Sequence, residues 1–314
     1  PALADEAAPA ASVPITADCA VRFATVAEGQ ALLARRDAFV DALGPLERQI
    51  RMASAKPISN ETLLADIAAD VRPWDEAQTQ RLTAAWQGLR DRLAPLRLPL
   101  PKEILLIQIS GKHESGAAYT RQNAIVLPAG RIQGDPTPLL AHELFHVMSR
   151  HDAALRAKLY ALIGFQMTEP IALPPVLAEI HLTNPDAPQM DAVIQIEHDG
   201  RRVAAAPVLV SRHEQYDPRR PNFFAYLDFK LLLLEASGAG HAPLLVDGRP
   251  VLVDGRSCRS YLAQLGGNTN YVIHPDEVMA DNFVYLVLGR TGLASPQLVD
   301  KMRALLVEAP QQGR

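Results

Sequence analysis

The chain reads His142-Glu143-Leu144-Phe145-His146 inside an apolar run, and this H-E-x-x-H spacing has a specific chemical consequence. Residues four apart on a helix lie one turn from each other on the same face, so both imidazoles can reach one zinc ion. The glutamate beside the first histidine can then act as general base toward a water at that ion. That is the donor arrangement of a zinc hydrolase. A chance match is expected on the order of once per hundred chains of this size, so the flanking residues must carry part of the argument. Thr137 is placed to cap a helix and Pro138 to sit in its first turn, where a missing N–H is harmless. Leu139, Leu140, Leu144, Phe145, Val147 and Met148 give that helix apolar faces, as suits a segment at the floor of a cleft. The competing reading is a core helix whose histidines only find hydrogen-bond partners.

A catalytic zinc takes three protein ligands and leaves a fourth position open. The third is expected at Glu277, in His274-Pro275-Asp276-Glu277-Val278-Met279-Ala280-Asp281, where Pro275 marks a helix start and Glu277 and Asp281 share a face. A carboxylate at Asp281 can accept the free ring N–H of a ligating histidine, which fixes its tautomer and raises its basicity. Glu169 and Glu179 compete for the ligand role. Pro170 bends or ends any helix at Glu169, and neither glutamate has an acid four residues on.

The pairing of HExxH with a later ExxxD resembles the gluzincin branch of the zincin metallopeptidases, of which thermolysin is the familiar member. The resemblance rests on these two motifs, with about 130 residues between His146 and Glu277. It implies an α+β fold with a zincin-like catalytic core, and a Zn2+ ion held by His142, His146 and Glu277. It also implies Glu143 as base and acid, Asp281 behind a ligand, and a peptide or protein as substrate. The histidine-ligand branch is excluded, because Val147-Met148-Ser149-Arg150-His151-Asp152 lacks the required glycine and third histidine. Tyr271 is the expected oxyanion donor, with His213, Tyr216, Tyr119 and His274 as alternatives. Residues 116–118, ahead of a turn at Arg121-Gln122-Asn123, resemble the edge strand that borders the cleft in zincins and pairs with extended peptides; an ordinary hairpin is the other reading. Two further functions fit the same residues: a non-catalytic secreted zincin-fold peptide-binding protein, or a zinc amidase acting on a cell-wall fragment.

At 314 residues, 48% hydrophobic and 21% charged, the chain can bury a sizeable core. A net charge of −4 without a dense basic run argues against nucleic acid as a partner. No apolar stretch approaches the roughly 20 residues of a membrane span. Nothing in the pattern points to an oligomeric state. Ala2-Leu3-Ala4 is a small-residue pattern like that before a signal-peptidase cut, so a periplasmic or secreted protein is expected. Cys19 and Cys258 either form one disulfide or remain two buried thiols.

The elements that must position the motifs follow from patterning. Residues 1–18 read as a flexible tail, and residues 19–100 as a helical region with helices at 27–52, kinked at Gly44-Pro45, then 59–71 and 75–93. Residues 101–314 read as the metallohydrolase domain, interrupted by a β-rich insertion at about 166–265. Hairpin turns are expected at Asp199-Gly200 and Asp247-Gly248, a helix over residues 223–235, and a core-facing helix from Pro296.

Overall fold

A computed structural model describes residues 12–238 and 240–307; the leader-like pattern at residues 2–4 lies outside the described residues. The fold is α+β, built on two sheets. The first contains β1 (Ser12–Pro14), β2 (Ala20–Phe23), β3 (Val71–Arg72), β4 (Glu103–Ile109), β5 (Tyr119–Arg121) and β6 (Ala124–Pro128). Its order is β1-β2-β4-β6-β5, with β3 also paired to β4. β2, β4 and β6 run parallel, while β5 turns back antiparallel on β6 and forms an edge.

Parallel strands need cover on both faces, and the alternation of apolar residues supplies it. Ile104, Leu106, Ile125 and Leu127 join one core; Ile107, Ile109, Ala124 and Val126 join another on the opposite face. The second core is covered by α1 (Val26–Leu33), α2 (Ala38–Ala42) and α4 (Asn60–Ala69), through Leu33, Phe39, Leu63 and Ile67. The first takes Leu46 and Ile50 of α3 (Pro45–Arg51), then α5 (Glu76–Leu93) and α6 (Thr137–His151). Residues 19–100, expected as a helical layer, therefore also carry β2 and β3, and β1 lies in the stretch expected as a flexible tail, where it pairs with β2 and buries Val13. The single kinked helix expected over 27–52 is instead three short ones: Asp37 caps α2 by accepting from the Val40 N–H, and Gly44-Pro45 starts α3.

The second sheet is antiparallel. Its strands are β7 (Phe165–Met167), β8 (Ala192–His198), β9 (Arg201–Ser211), β10 (Leu227–Ser237) and β11 (Gly240–Pro243), in the order β11-β10-β9-β8-β7. A short hairpin of β12 (Leu245–Val246) and β13 (Arg249–Pro250) follows, and β14 (Leu252–Asp254) returns to pair with β10. Both Asp-Gly turns are left-handed, with φ of 49° and 71° at Asp199 and Gly200 and 51° and 74° at Asp247 and Gly248, as tight hairpins require.

The expected helix over 223–235 is a correction. Residues 223–225 make one 3₁₀ turn and residues 227–235 belong to β10. Phe229, Leu231 and Leu233 enter one core while Leu232 and Leu234 enter another, so this apolar run is a strand buried on both faces. α6 and α7 (Ala153–Ala161) link the two sheets, α8 (Pro175–Ala178) lies between β7 and β8, and α9 (Arg259–Gln264), α10 (Pro275–Leu288) and α11 (Pro296–Val307) follow β14. No helix among the described residues is long and apolar enough to cross a membrane.

Cys19 and Cys258 are buried free thiols rather than a disulfide, and burial pushes the Cys19 thiol up to about 12. At pH 8 such a thiol is ionised in about one molecule in ten thousand. Thiol titration without reductant should therefore count two groups in denaturant, with Cys19 silent in the native protein and its modification accelerating as pH rises. A count of zero in denaturant would instead mean a disulfide.

Candidate metal centre

Two helices bring the motif residues together. α6 begins one residue earlier than expected: Thr137 is inside it, and the Asp135 carboxylate accepts the Thr137 N–H at 3.0 Å. Pro138 sits in the first turn and leaves His142 and His146 on a shared face. α10 starts at Pro275, where the ring Nδ1 of His274 accepts the Asp276 N–H at 3.1 Å, and ends at left-handed Gly289. Asp276 and Glu277 occupy its first turn, where the positive end of the helix favours carboxylates. The two helices share a core: Leu144, Phe145 and Met148 belong to the same buried cluster as Val278, Met279 and Phe283, and the Phe145 and Phe283 rings lie 5.8 Å apart. Each such buried side chain contributes roughly 1.5–3 kcal/mol, so packing holds the crossing in place.

At the crossing, Glu277 Oε2 lies 3.1 Å from His142 Nε2 and 3.6 Å from His146 Nε2. Donor atoms of these three residues all lie within 4.8 Å of one another. Ligands about 2.0–2.1 Å from a tetrahedral zinc stand about 3.3 Å apart, and the two distances straddle that value. The remaining atoms of each ligand are tied down. His142 Nδ1 faces Asp281 Oδ1 at 3.1 Å, and the Thr269 hydroxyl donates to the other Asp281 oxygen. His146 Nδ1 faces Asp276 Oδ2 at 2.7 Å, and the Tyr160 hydroxyl donates to Asp276 Oδ1 at 2.7 Å. Asn184 Nδ2 donates to Glu277 Oε1 at 2.6 Å. In the tautomer that carries its proton on Nδ1, facing Asp281 or Asp276, each ring leaves its Nε2 lone pair free for a cation at the centre.

Among the described residues eight buried side-chain polar atoms lack a partner, and two of them meet at this crossing: His146 Nε2 and Glu143 Oε2, on residues 1% and 2% exposed. Orphans of this kind are rare, because each forfeits its hydration. A cation beside the imidazole and a water beside the carboxylate would satisfy both, so the donor set fits zinc.

The electrostatics point the same way. Burial opposes charge on His142, yet its hydrogen bonds to Asp281 and Glu277 hold it well above its ordinary pKa. Burial likewise opposes charge on His146, but Asp186, Glu277 and Asp276 carry it to about 9. Burial, reinforced by Asp186, pushes Glu143 up to about 8. The surrounding carboxylates thus favour positive charge at the position a dication would take.

Tyr271 is 41% exposed, and its ring stacks on His142 with centroids 6.3 Å apart. Glu277 above all, then burial and the other carboxylates, raise its phenol well above its usual value. It keeps its proton and remains a donor. The alternatives are engaged elsewhere: His274 caps α10, Tyr119 is buried in the sheet core, His213 is bonded by Arg220, and Tyr216 stacks on Tyr226. Glu169 and Glu179 are exposed, unlike Glu277 at 1%. Residues 116–118 are outside any strand; the edge strand is β5, three residues later.

No family model, curated protein or solved structure matches this chain. Geometry alone carries the functional reading.

Several site residues were not anticipated from sequence. Asp276 precedes the expected ligand, and its position in the first turn of α10 was a usable signal. Tyr160, Thr269, Asn184 and Asp186 lie on separate elements or loops and carry no local pattern. Asp276→Asn and Asp281→Asn should each weaken zinc binding by about 10–100-fold with the fold intact, as read by chelator competition and circular dichroism. Unchanged affinity in both variants would detach these carboxylates from the site.

Proposed function

We propose that this chain is a zinc-dependent metallopeptidase with a zincin-like core and the gluzincin ligand set His142, His146 and Glu277. The observation that carries this reading is the convergence of those donor atoms within 4.8 Å beside the unpartnered Glu143 Oε2. A zinc ion supplies Lewis acidity there and lowers the pKa of water toward 7. Asp281 and Asp276 hold the two imidazoles in one tautomer and orientation. Asn184 fixes the Glu277 carboxylate.

Glu143 takes a proton from the attacking water and passes it to the departing nitrogen. One C–O bond forms, the peptide C–N bond breaks, and no oxidant or further reactant is needed. Tyr271, stacked beside His142 at the rim, is placed to donate to the oxygen on which negative charge develops. A protein that only held peptides would have no use for a buried carboxylate with a free oxygen at this point.

Glu143→Gln preserves shape while removing the base. It should lower turnover of a fluorogenic peptide by about 10²–10⁴-fold while one zinc per chain is retained by elemental analysis. A variant that kept full activity would contradict the assignment.

A further inference from the structure

The strand beside the metal centre has an edge, and that edge is occupied. β5 ends its sheet and pairs with β6 on one side only. Antiparallel pairing turns the backbone groups of Tyr119 and Arg121 toward β6 and those of Thr120 outward. An open edge of this kind is where an extended peptide adds as a further strand. Here the Thr120 N–H and hydroxyl both donate to Asp186 Oδ1, the N–H at 2.6 Å. A carboxylate oxygen of Asp186 also lies within 4.8 Å of a Glu143 oxygen and a His146 ring nitrogen. The side chain thus stands between the strand edge and the general base, where a peptide paired to β5 would have to pass.

The stretch that carries Asp186 is firmly held only at its ends. Asn184 is tied to Glu277, while Met190 and Asp191 accept backbone bonds from Ile171 and Thr168. Between them, residues 185–188 are half-buried, Gln189 is exposed, and no side chain of residues 185–189 joins a buried apolar cluster. Among the described residues, two side chains from outside the loop bond to this stretch: Thr120, and Arg150 through the carbonyls of Pro185 and Asp186. Cavities of about 150 Å³ and 30 Å³ both have Ala187, Pro188 and Gln189 in their walls. Few apolar contacts and free space on its flanks let such a segment open without unfolding the rest, and the charge-assisted bonds from Thr120 to Asp186 are what close it.

We infer that residues 185–189 form a strap that Asp186 latches across the β5 edge, so that an extended peptide reaches the zinc only by taking the Thr120 N–H from Asp186. This rests on the zinc-peptidase reading and adds a gate to it. The latched strap restrains cleavage of long substrates, whereas a ligand that needs no strand edge enters freely.

The test uses the zinc-loaded full chain, an internally quenched peptide as long substrate, and acetohydroxamate as the small ligand. Thr120→Val removes one donor without altering charge at the site, and Asp186→Ala removes the latch outright. They should raise kcat/KM for the peptide about threefold and about tenfold, mainly through KM, as expected for losing one or two bonds to a charged acceptor. Acetohydroxamate affinity should be unchanged in Thr120→Val. A contact that only supported the fold would lower kcat/KM when broken. Unchanged or lower kcat/KM in both variants, with zinc and acetohydroxamate still bound, would overturn the strap and leave the peptidase reading standing.

Should the variants unfold, hydrogen exchange on the wild-type chain decides. A tripeptide hydroxamate should speed exchange at the Asp186 and Ala187 amides, which bond to Asn184 in the latched form, and acetohydroxamate should not. Slowed or unchanged exchange there with the tripeptide hydroxamate bound would overturn the inference. A wild-type chain that binds neither hydroxamate and cleaves no peptide would remove the peptidase reading and the strap with it.

Discussion

The packing of α6 against α10 is the interaction on which the rest of the structure depends. It places Glu143, His146, Asp276 and Glu277, all 1–2% exposed, at one crossing. Taking a carboxylate out of water costs several kcal/mol even after relaxation. The apolar layer of Leu144, Phe145, Met148, Val278, Met279 and Phe283 lies beside these groups and offsets part of that cost. Hydrogen bonds from Asn184 and Tyr160, and the helix N-terminus at Asp276 and Glu277, offset more. A cation would relieve much of the remaining strain, so metal affinity and fold stability are coupled here.

Regions without any proposed ligand still shape the site, through the loop at residues 179–191. One side of it is held by β9, where the Leu182 N–H donates to Leu209 and the Ser211 N–H to Ile180. The other side is held by α3: Glu47 accepts the Thr183 N–H at 2.8 Å, and Arg51 donates to the Thr183 carbonyl at 2.9 Å. Glu47 and Arg51 are a fully buried pair, with the Arg51 guanidinium over the rings of Phe39 and Phe223 and bonded to Glu114. Opening such a pair leaves a charge stranded, at a cost of about 3–5 kcal/mol. The N-terminal helices and the β-rich insertion thus jointly fix Asn184 and Asp186, although neither region supplies a donor to the ion.

What was legible in the sequence follows from how local each signal is. His142 with His146, and Glu277 with Asp281, were readable as pairs because helix periodicity decides which residues share a face, whereas the meeting of the two faces depends on the packing of α6 on α10. The three helices expected between 27 and 93 were partly readable: α4 and α5 begin after Ser59 and Asp75, whose side chains cap them. The break after Leu33 was not visible, because it depends on the Asp37 cap. Residues 223–235 misled because Leu231 to Leu234 suit a buried helix as well as a strand covered on both faces, and only the neighbouring sheet decides. Asn184 and Asp186 were illegible for a related reason. They reach the site through bonds to Glu277 and Thr120, residues distant in the chain.

The central claim is that a single zinc ion sits between α6 and α10. An anomalous difference map of crystals of untagged protein, collected on both sides of the zinc absorption edge, tests it most directly. The account predicts one strong peak above the edge, bounded by His142 Nε2, His146 Nε2 and Glu277 Oε2, that vanishes below it. Crystals grown with zinc that show no peak there, with the two imidazoles satisfied by protein partners alone, would contradict it.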